Sequence, residues 1–296
     1  MSGTDAASGA WLRIALVQMC AGRDVEANVA AVEHQIRDAG RQGARYVLTP
    51  EVTTLMETDR ERMLAAAQVE AESVALARFR SLARDLGLYL HIGSMAVRLS
   101  ADRLANRSFL IRPDGEIAAR YDKIHMFDIT LGNGEVYEES RSYAPGGEAV
   151  VVQMPWGRLG LTICYDLRFP QLFRALAQAG AGIIAVPAAF TRTTGEAHWH
   201  ALLRARAIEA QCFILAAAQG GHHETGRQTF GHSLVVSPWG EILAEAGVEP
   251  SVTVCDLDLA RIQQVRDLVP SLRHDRPFEI TVVAGGNADD RSGVAR

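Results

Sequence analysis

A thiol attacks a carbonyl carbon well only when a neighbouring group takes its proton or steadies the thiolate. The four cysteines, Cys20, Cys164, Cys212 and Cys255, are therefore judged by their surroundings. Cys20 follows an apolar run and Cys212 and Cys255 lie within apolar runs, so each reads as a small core residue. Cys164 differs. It closes the apolar run 159–163 and is followed by Tyr-Asp-Leu-Arg-Phe-Pro, in which Pro170 suits the first turn of a helix. A strand–turn–helix elbow of this kind lifts a nucleophile out of a sheet and turns the next N–H groups toward whatever it attacks. Glu51 follows Thr49-Pro50 at the end of another apolar run. Half withdrawn from water there, its carboxyl would have a raised pKa and act as a base near neutral pH; the alternative is a solvated loop glutamate. Lys123, within Tyr-Asp-Lys-Ile-His-Met-Phe, is ambiguous alone, since most lysines are simply exposed. Arg168, four residues after Cys164, should project into or beside a pocket at the elbow. Its forked guanidinium would pair there with a substrate carboxylate, or else with Asp166 or another acid.

The histidines offer two competing chemistries. His198 and His200 with His222 and His223 would make a metal site, but the first pair, two apart on a helix, points to different faces and the second lies in a glycine-rich loop. No Cys-x-x-Cys pair occurs, so neither a metal nor any other cofactor is expected. A papain-like arrangement would need a histidine turned toward Cys164, and His125 stays open for that role.

Taken together, Thr-Pro-Glu at 49–51, Tyr-Asp-Lys-Ile-His-x-Phe-Asp at 121–128 and Cys-Tyr-Asp-x-Arg-Phe-Pro at 164–170 resemble, in order, the segments around the Glu, Lys and Cys of the nitrilase superfamily of carbon–nitrogen hydrolases. The resemblance runs from about Trp11 to Pro277. It includes Glu139-Ser140 ahead of Ala144-Pro145-Gly146, where that family places a second glutamate. Within the superfamily the chain is most similar to the deaminated glutathione amidase branch, with ω-amidases next. The matching stretches are Thr-Gly-Glu-Ala-His-Trp at 194–199, Leu-Arg-Ala-Arg-Ala-Ile-Glu at 203–209, Ala-Ala-Ala-Gln at 216–219 and Gly-His-Ser at 231–233. The segment 128–138 departs from the pattern; it would border the substrate mouth and bear on fine specificity.

The resemblance implies a four-layer α-β-β-α sandwich. It makes Glu51 the general base, Cys164 the nucleophile that forms a thioester, and Lys123 with the Tyr165 N–H the partners of the oxyanion. Glu139 would hold Lys123 and the substrate amide, and Tyr165, Arg168, Phe127 and Thr194 would contact substrate. The implied reaction splits deaminated glutathione into 2-oxoglutarate and cysteinylglycine. The alternatives are an ω-amidase acting on 2-oxoglutaramate and a hydrolase of another small aliphatic amide or N-carbamoyl compound. A catalytically silent metabolite-binding scaffold would betray itself by loss of one of the three residues, and all three are present. The family also implies a homodimer or higher homo-oligomer.

The elements that must position these residues alternate between short apolar runs and helical periodicity, the signature of an α/β fold with covered sheet faces. Strands are predicted at 14–19, 45–49, 88–97, 182–186, 212–217 and 252–257. Hairpins are predicted at 109–112 with 116–121, at 150–154 with 159–163, and at 232–237 with 241–244. Helices are predicted from a cap at Asp24 to Gly40 and Gly43, through Ala75, Phe79, Leu82 and Leu86 to Gly87, and over 170–179, 197–211 and 259–268. Residues 11–284 are read as one domain, with 1–10 and 285–296 as disordered tails.

The bulk properties agree with an ordinary enzyme: 296 residues, 48% apolar and 22% charged, with a formal net charge of -5. Lysines and arginines are scattered, so neither nucleic acid nor an anionic membrane is an expected partner; a small-molecule amide is. No apolar run approaches the roughly 20 residues that span a bilayer. The first ten residues have no signal-peptide character, and the spread cysteines argue for reduced thiols, so a cytoplasmic location is expected.

Overall fold

A computed structural model describes residues 11–132 and 134–283; the two expected tails, 1–10 and 285–296, lie outside the described residues. The first half of the chain runs β1 (Trp11–Gln18), α1 (Val25–Arg41), β2 (Tyr46–Leu48), α2 (Arg60–Ala66), α3 (Val74–Leu86), β3 (Tyr89–Arg98), β4 (Leu104–Ile111) and β5 (Ile117–Asp122). A small hairpin follows, β6 (Asp128–Thr130) with β7 (Val136–Glu138). The second half runs β8 (Val150–Met154), β9 (Gly157–Leu161), α4 (Pro170–Gln178), β10 (Ala181–Ala185), α5 (Arg192–Ala210), β11 (Phe213–Ala216), β12 (Gly220–His222), β13 (Gln228–Phe230), β14 (Leu234–Val236) and β15 (Ile242–Glu245). It closes with β16 (Ser251–Asp258) and α6 (Ala260–Leu268).

Two six-stranded sheets result, ordered β16-β1-β2-β3-β4-β5 and β15-β14-β11-β10-β9-β8. Each has three parallel strands flanked by antiparallel ones. The layering follows from the period of two along β1. Leu12, Ile14 and Leu16 point into a core shared with Leu159, Leu161 and Ile163 of the other sheet, while Ala15 and Val17 point into a second core with Val29, Val32 and Ile36 of α1 and Phe79 and Leu82 of α3. On the far side, α4 packs on β10 and α5 on β11. The order is helices, sheet, sheet, helices, the four-layer sandwich expected.

Local rules set most boundaries. Asp24 caps α1 by accepting from the Ala27 N–H at 3.1 Å, Ser73 caps α3, and Gly87 ends α3 in the left-handed region at φ 64°. Several elements differ from expectation, among them two boundaries and one helix whose causes are plain. The polar triplet Asn106-Arg107-Ser108 hid the first half of β4, which begins at Leu104 rather than 109. Capping at Thr191 starts α5 at Arg192, five residues early. The helix α2 buries none of its residues, so it offers no apolar stripe to read.

Candidate active site

Glu51 and Cys164 both stand just beyond the C-terminal ends of interior strands that belong to the parallel part of each sheet, β2 and β9, where open α/β sheets collect ligands. Past β9, Thr162 and Ile163 lead into a short 3-10 helix, Cys164–Arg168, before Pro170 opens α4. Cys164 has φ 49°, a left-handed conformation costing a non-glycine residue roughly 1–2 kcal/mol. The surroundings fix it there: the Cys164 N–H donates to the Pro187 carbonyl at 2.8 Å, and the Asp166 carboxylate accepts from the Ile163 N–H at 2.8 Å. Val52, next to Glu51, is left-handed too, at φ 51°. Gly93 allows the two loops to meet, because a Cβ there would lie 2.1 Å from the Thr49 carbonyl oxygen and 2.4 Å from Pro187 Cβ.

The elbow is tied to the Lys123 segment through Asp166, which is fully buried. It accepts from the Tyr121 hydroxyl at 2.6 Å, from the His125 N–H at 3.1 Å and from His125 Nδ1 at 2.6 Å. His125 also stacks on Phe169, with ring centroids 3.5 Å apart. Its Nδ1 is thus held by Asp166, which removes the papain-like arrangement through that nitrogen.

Lys123, 1% exposed, donates from Nζ to Glu51 Oε1 at 2.8 Å and to Glu139 Oε2 at 2.7 Å. Glu51, 4% exposed, also accepts at Oε2 from the Ala189 N–H at 2.9 Å. Glu139 accepts from the Phe127 N–H at 2.7 Å. Asn106, which the sequence reading passed over, bridges the two carboxylates, its Nδ2 lying 3.0 Å from Glu51 Oε1 and 3.0 Å from Glu139 Oε1. Reading β4 from Leu104 would have placed this buried amide on an interior strand beside the site. Removing one partner from such a buried ionic cluster typically costs about 3–5 kcal/mol.

The electrostatics overturn one expectation. Burial pushes the Glu51 carboxyl up, but the Lys123 ammonium, helped by a hydrogen bond with Cys164 and by the charge of Arg227, more than reverses this. Glu51 is held below its ordinary value rather than above it. Burial pulls Lys123 down, but Glu139 and Glu51 hold it well above its ordinary value. Burial and then the Glu51 charge push the Cys164 thiol well up. The resting cluster is therefore a neutral thiol, a carboxylate and an ammonium. A thiol in contact with an ionised carboxylate can surrender its proton during attack.

These groups line a cavity of about 600 Å³, with Glu51, Asn106, Lys123, Glu139 and Cys164 among its wall residues. Phe127 and Thr194 line it as well. So do Val136, Tyr137 and Glu138 of the hairpin formed by the divergent segment. The side chains of Tyr165 and Arg168 are not brought to the wall. The Tyr165 ring packs against Phe127 and Phe169, although its N–H belongs to the first turn of the 3-10 helix, which has no acceptor within that helix. Arg168 lies over the Phe190 and Tyr165 rings and 3.3 Å from His198 Nδ1. Asp166, its expected acidic partner, is already fully engaged.

The competing grouping of His198, His200, His222 and His223 is not brought together among the described residues. His223 binds the Ala21 carbonyl and Thr229, and His200 binds Glu245. Among the described residues, His200, His232 and Glu245 do bring three ligating atoms within 4.8 Å of one another, with Glu245 Oε1 shared by both imidazoles. Among those residues no helix is long and apolar enough to cross a membrane.

The carbon–nitrogen hydrolase profile matches residues 13–267. The chain belongs to the carbon–nitrogen hydrolase family. It is 43% identical over 267 residues to a deaminated glutathione amidase of Yersinia enterocolitica, covering 89% of this chain and 92% of that protein. The Caenorhabditis elegans NitFhit crystal structure superposes with a TM-score of 0.85 at 35% identity, over 90% of this chain and 65% of NitFhit. A mutant amidase from Nesterenkonia sp. AN1, with acrylamide added to its active-site cysteine, superposes with a TM-score of 0.75 at 30% identity, over 88% and 98%. The resemblance read from the motifs holds, and this family member is a hydrolase acting on amides.

Proposed function

We propose that this chain hydrolyses deaminated glutathione to 2-oxoglutarate and cysteinylglycine through a thioester on Cys164. The carrying observation is the placement of a thiol, a carboxylate and an ammonium on one cavity wall, with both Glu51 Oε1 and Glu139 Oε2 within 2.8 Å of Lys123 Nζ. The amidases to which the chain is similar support the substrate.

Glu51 accepts the Cys164 proton as sulfur bonds to the amide carbon. The carbonyl π electrons move onto oxygen, where the Lys123 ammonium and the Tyr165 N–H stabilise the negative charge. Collapse breaks the C–N bond, and the leaving nitrogen takes the proton from Glu51. Glu51 then removes a proton from water attacking the thioester, and the departing sulfur recovers it. Glu139 and Asn106 hold Lys123 and Glu51 in register throughout. Phe127 and Thr194 contact substrate from the wall. The cavity falls within the roughly 300–1,000 Å³ of small-molecule sites. The four unpaired cysteines suit the reducing cytoplasm included in this reading.

The test is kcat/KM for deaminated glutathione beside 2-oxoglutaramate, glutathione, glutamine and an aliphatic nitrile. Deaminated glutathione should lead and 2-oxoglutaramate follow, with the two α-amino compounds and the nitrile inert. Equal rates for the keto and amino forms would overturn the substrate assignment.

A further inference from the structure

The cavity wall holds four cations, Arg60, Lys123, Arg141 and Arg227. Lys123 is neutralised by two carboxylates. Arg60 donates to the Asp102 carbonyl, and Arg141, largely exposed, faces Glu138 at 3.9 Å. Arg227 is different. It is partly buried and forms no ion pair among the described residues, although its charge reaches Glu51. Nη2 donates to the Ala189 carbonyl, and the guanidinium lies 5.2 Å above the Tyr137 ring, itself part of the wall. Nε is buried with no hydrogen-bond partner. A guanidinium carries five N–H donors, so most of its capacity is unused by the protein.

An orphaned buried donor is costly, and Glu51, the carboxylate that the charge of Arg227 reaches, already accepts a hydrogen bond from Lys123, so the free N–H groups of Arg227 have no acceptor of their own. That cost falls when a carboxylate enters the cavity. The position of Arg227 narrows which carboxylate. Ala189, whose carbonyl it holds, is also the residue whose N–H holds Glu51 Oε2, so the guanidinium and the base are held by the two ends of one residue's backbone. Its charge is felt at Glu51 itself.

We infer that Arg227 is the carboxylate-recognising residue of the site, gripping an acid group on the acyl half of the substrate. The inference rests on the proposed amidase reading and deepens it: it assigns a partner to the free carboxylate of the 2-oxoglutaryl half. Arg168, the carboxylate partner expected from the sequence, is not itself a wall residue: its guanidinium lies over the Tyr165 ring and behind the wall residue Phe190. An α-ammonium beside the same carboxylate would be carried up to Arg227 and repelled, which gives a physical reason for preferring keto over amino acids.

The test uses Cys164→Ala protein, in which bound amide is not consumed, and measures Kd by calorimetry for 2-oxoglutaramate and for pentanamide, its uncharged counterpart. Adding Arg227→Gln should weaken 2-oxoglutaramate about 30-fold, the loss of a charge-assisted hydrogen-bonded pair, and shrink its advantage over pentanamide. Arg227→Lys keeps the charge without the fork and should weaken it about fivefold; it also serves if the glutamine variant melts early. A 2-oxoglutaramate Kd within about twofold of the parent in either folded variant overturns the inference, since charge-assisted recognition cannot be that small. Failure of the amidase reading looks different: the unmodified enzyme would release neither cysteinylglycine from deaminated glutathione nor ammonia from 2-oxoglutaramate.

Discussion

Cys164 and Cys212 are both buried thiols, both beside left-handed backbone, and only one sits in a place to react. Gln211, at φ 51°, precedes Cys212 and merely ends α5, where a left-handed residue is an ordinary helix stop. The left-handed residue at the other position is Cys164 itself, at a strand end with no helix to finish. Burial raises both thiols, that of Cys212 to about 12. Around Cys212 lies apolar core with the Arg266 charge beyond it but no base in contact; around Cys164 lie an ionised carboxylate, an ammonium and a cavity. Burial therefore does not separate a structural cysteine from a nucleophile. Its neighbours do.

The comparison breaks most sharply at Cys164→Ala. Alanine removes the proposed nucleophile and only one heavy atom, and is no worse than cysteine in the left-handed region. Turnover should fall on the order of 10⁴-fold or more. Stability should change within about 1 kcal/mol, with the circular dichroism unaltered. Retained activity above a few per cent would end the assignment of Cys164 as nucleophile.

The next effect sharpens the role of the neighbours. Asn106→Ala deletes the donor shared by Glu51 and Glu139 without touching the reacting atoms. We expect kcat to fall about 10- to 100-fold, as positioning in an acid–base step is lost. The pH profile carries the sign. A hydrogen bond to an ionised carboxylate lowers its pKa, so removing one raises it and moves the acidic limb of kcat/KM toward higher pH. In the unmodified enzyme Glu51 lies below its ordinary 4.5, so that limb should start below this value. A purely structural role for Asn106 predicts lost yield or melting temperature with the limb unmoved.

How far the sequence disclosed all this depended on whether a feature was local. The elbow was legible because an apolar run, a cysteine and a helix-starting proline are contiguous, and Glu51 stood out at a strand end for the same reason. The four layers were legible through resemblance, and the alternation in β1 supplies their physical cause. Asn106 was not legible: three polar residues broke the pattern of a strand buried along most of its length. The pKa of Glu51 was misjudged because burial can be inferred from a run of residues, while a lysine 72 positions away cannot be placed against it without the fold. Arg227 escaped for the same reason. It meets the site through Ala189, 38 residues distant. Cys20 and Cys255, expected in the core, are only partly buried, the first at the end of a strand and the second on the edge strand β16 of its sheet.

The smallest expected effect tests the inert side of the comparison. Cys212 has no exposed surface and lies in the apolar core between the sheet and its helices, so serine there must bury a hydroxyl that had no need of a partner as a thiol. The cost should be about 1–3 kcal/mol, a fall of roughly 2–4 °C in Tm for each kcal/mol in a chain this large. Cys20→Ser and Cys255→Ser, at partly exposed positions, should cost less than about 1 kcal/mol. None of the three should alter kcat/KM beyond about twofold, because none contributes to the cavity wall. Iodoacetamide on the folded protein gives the complementary measurement. Cys164 opens onto the cavity and should be alkylated with loss of activity, whereas Cys212, sealed and without a base, should react only after unfolding. If Cys212 reacted first in the native protein, or if its serine variant lost activity at unchanged stability, the distinction between the two thiols by their neighbours would be wrong.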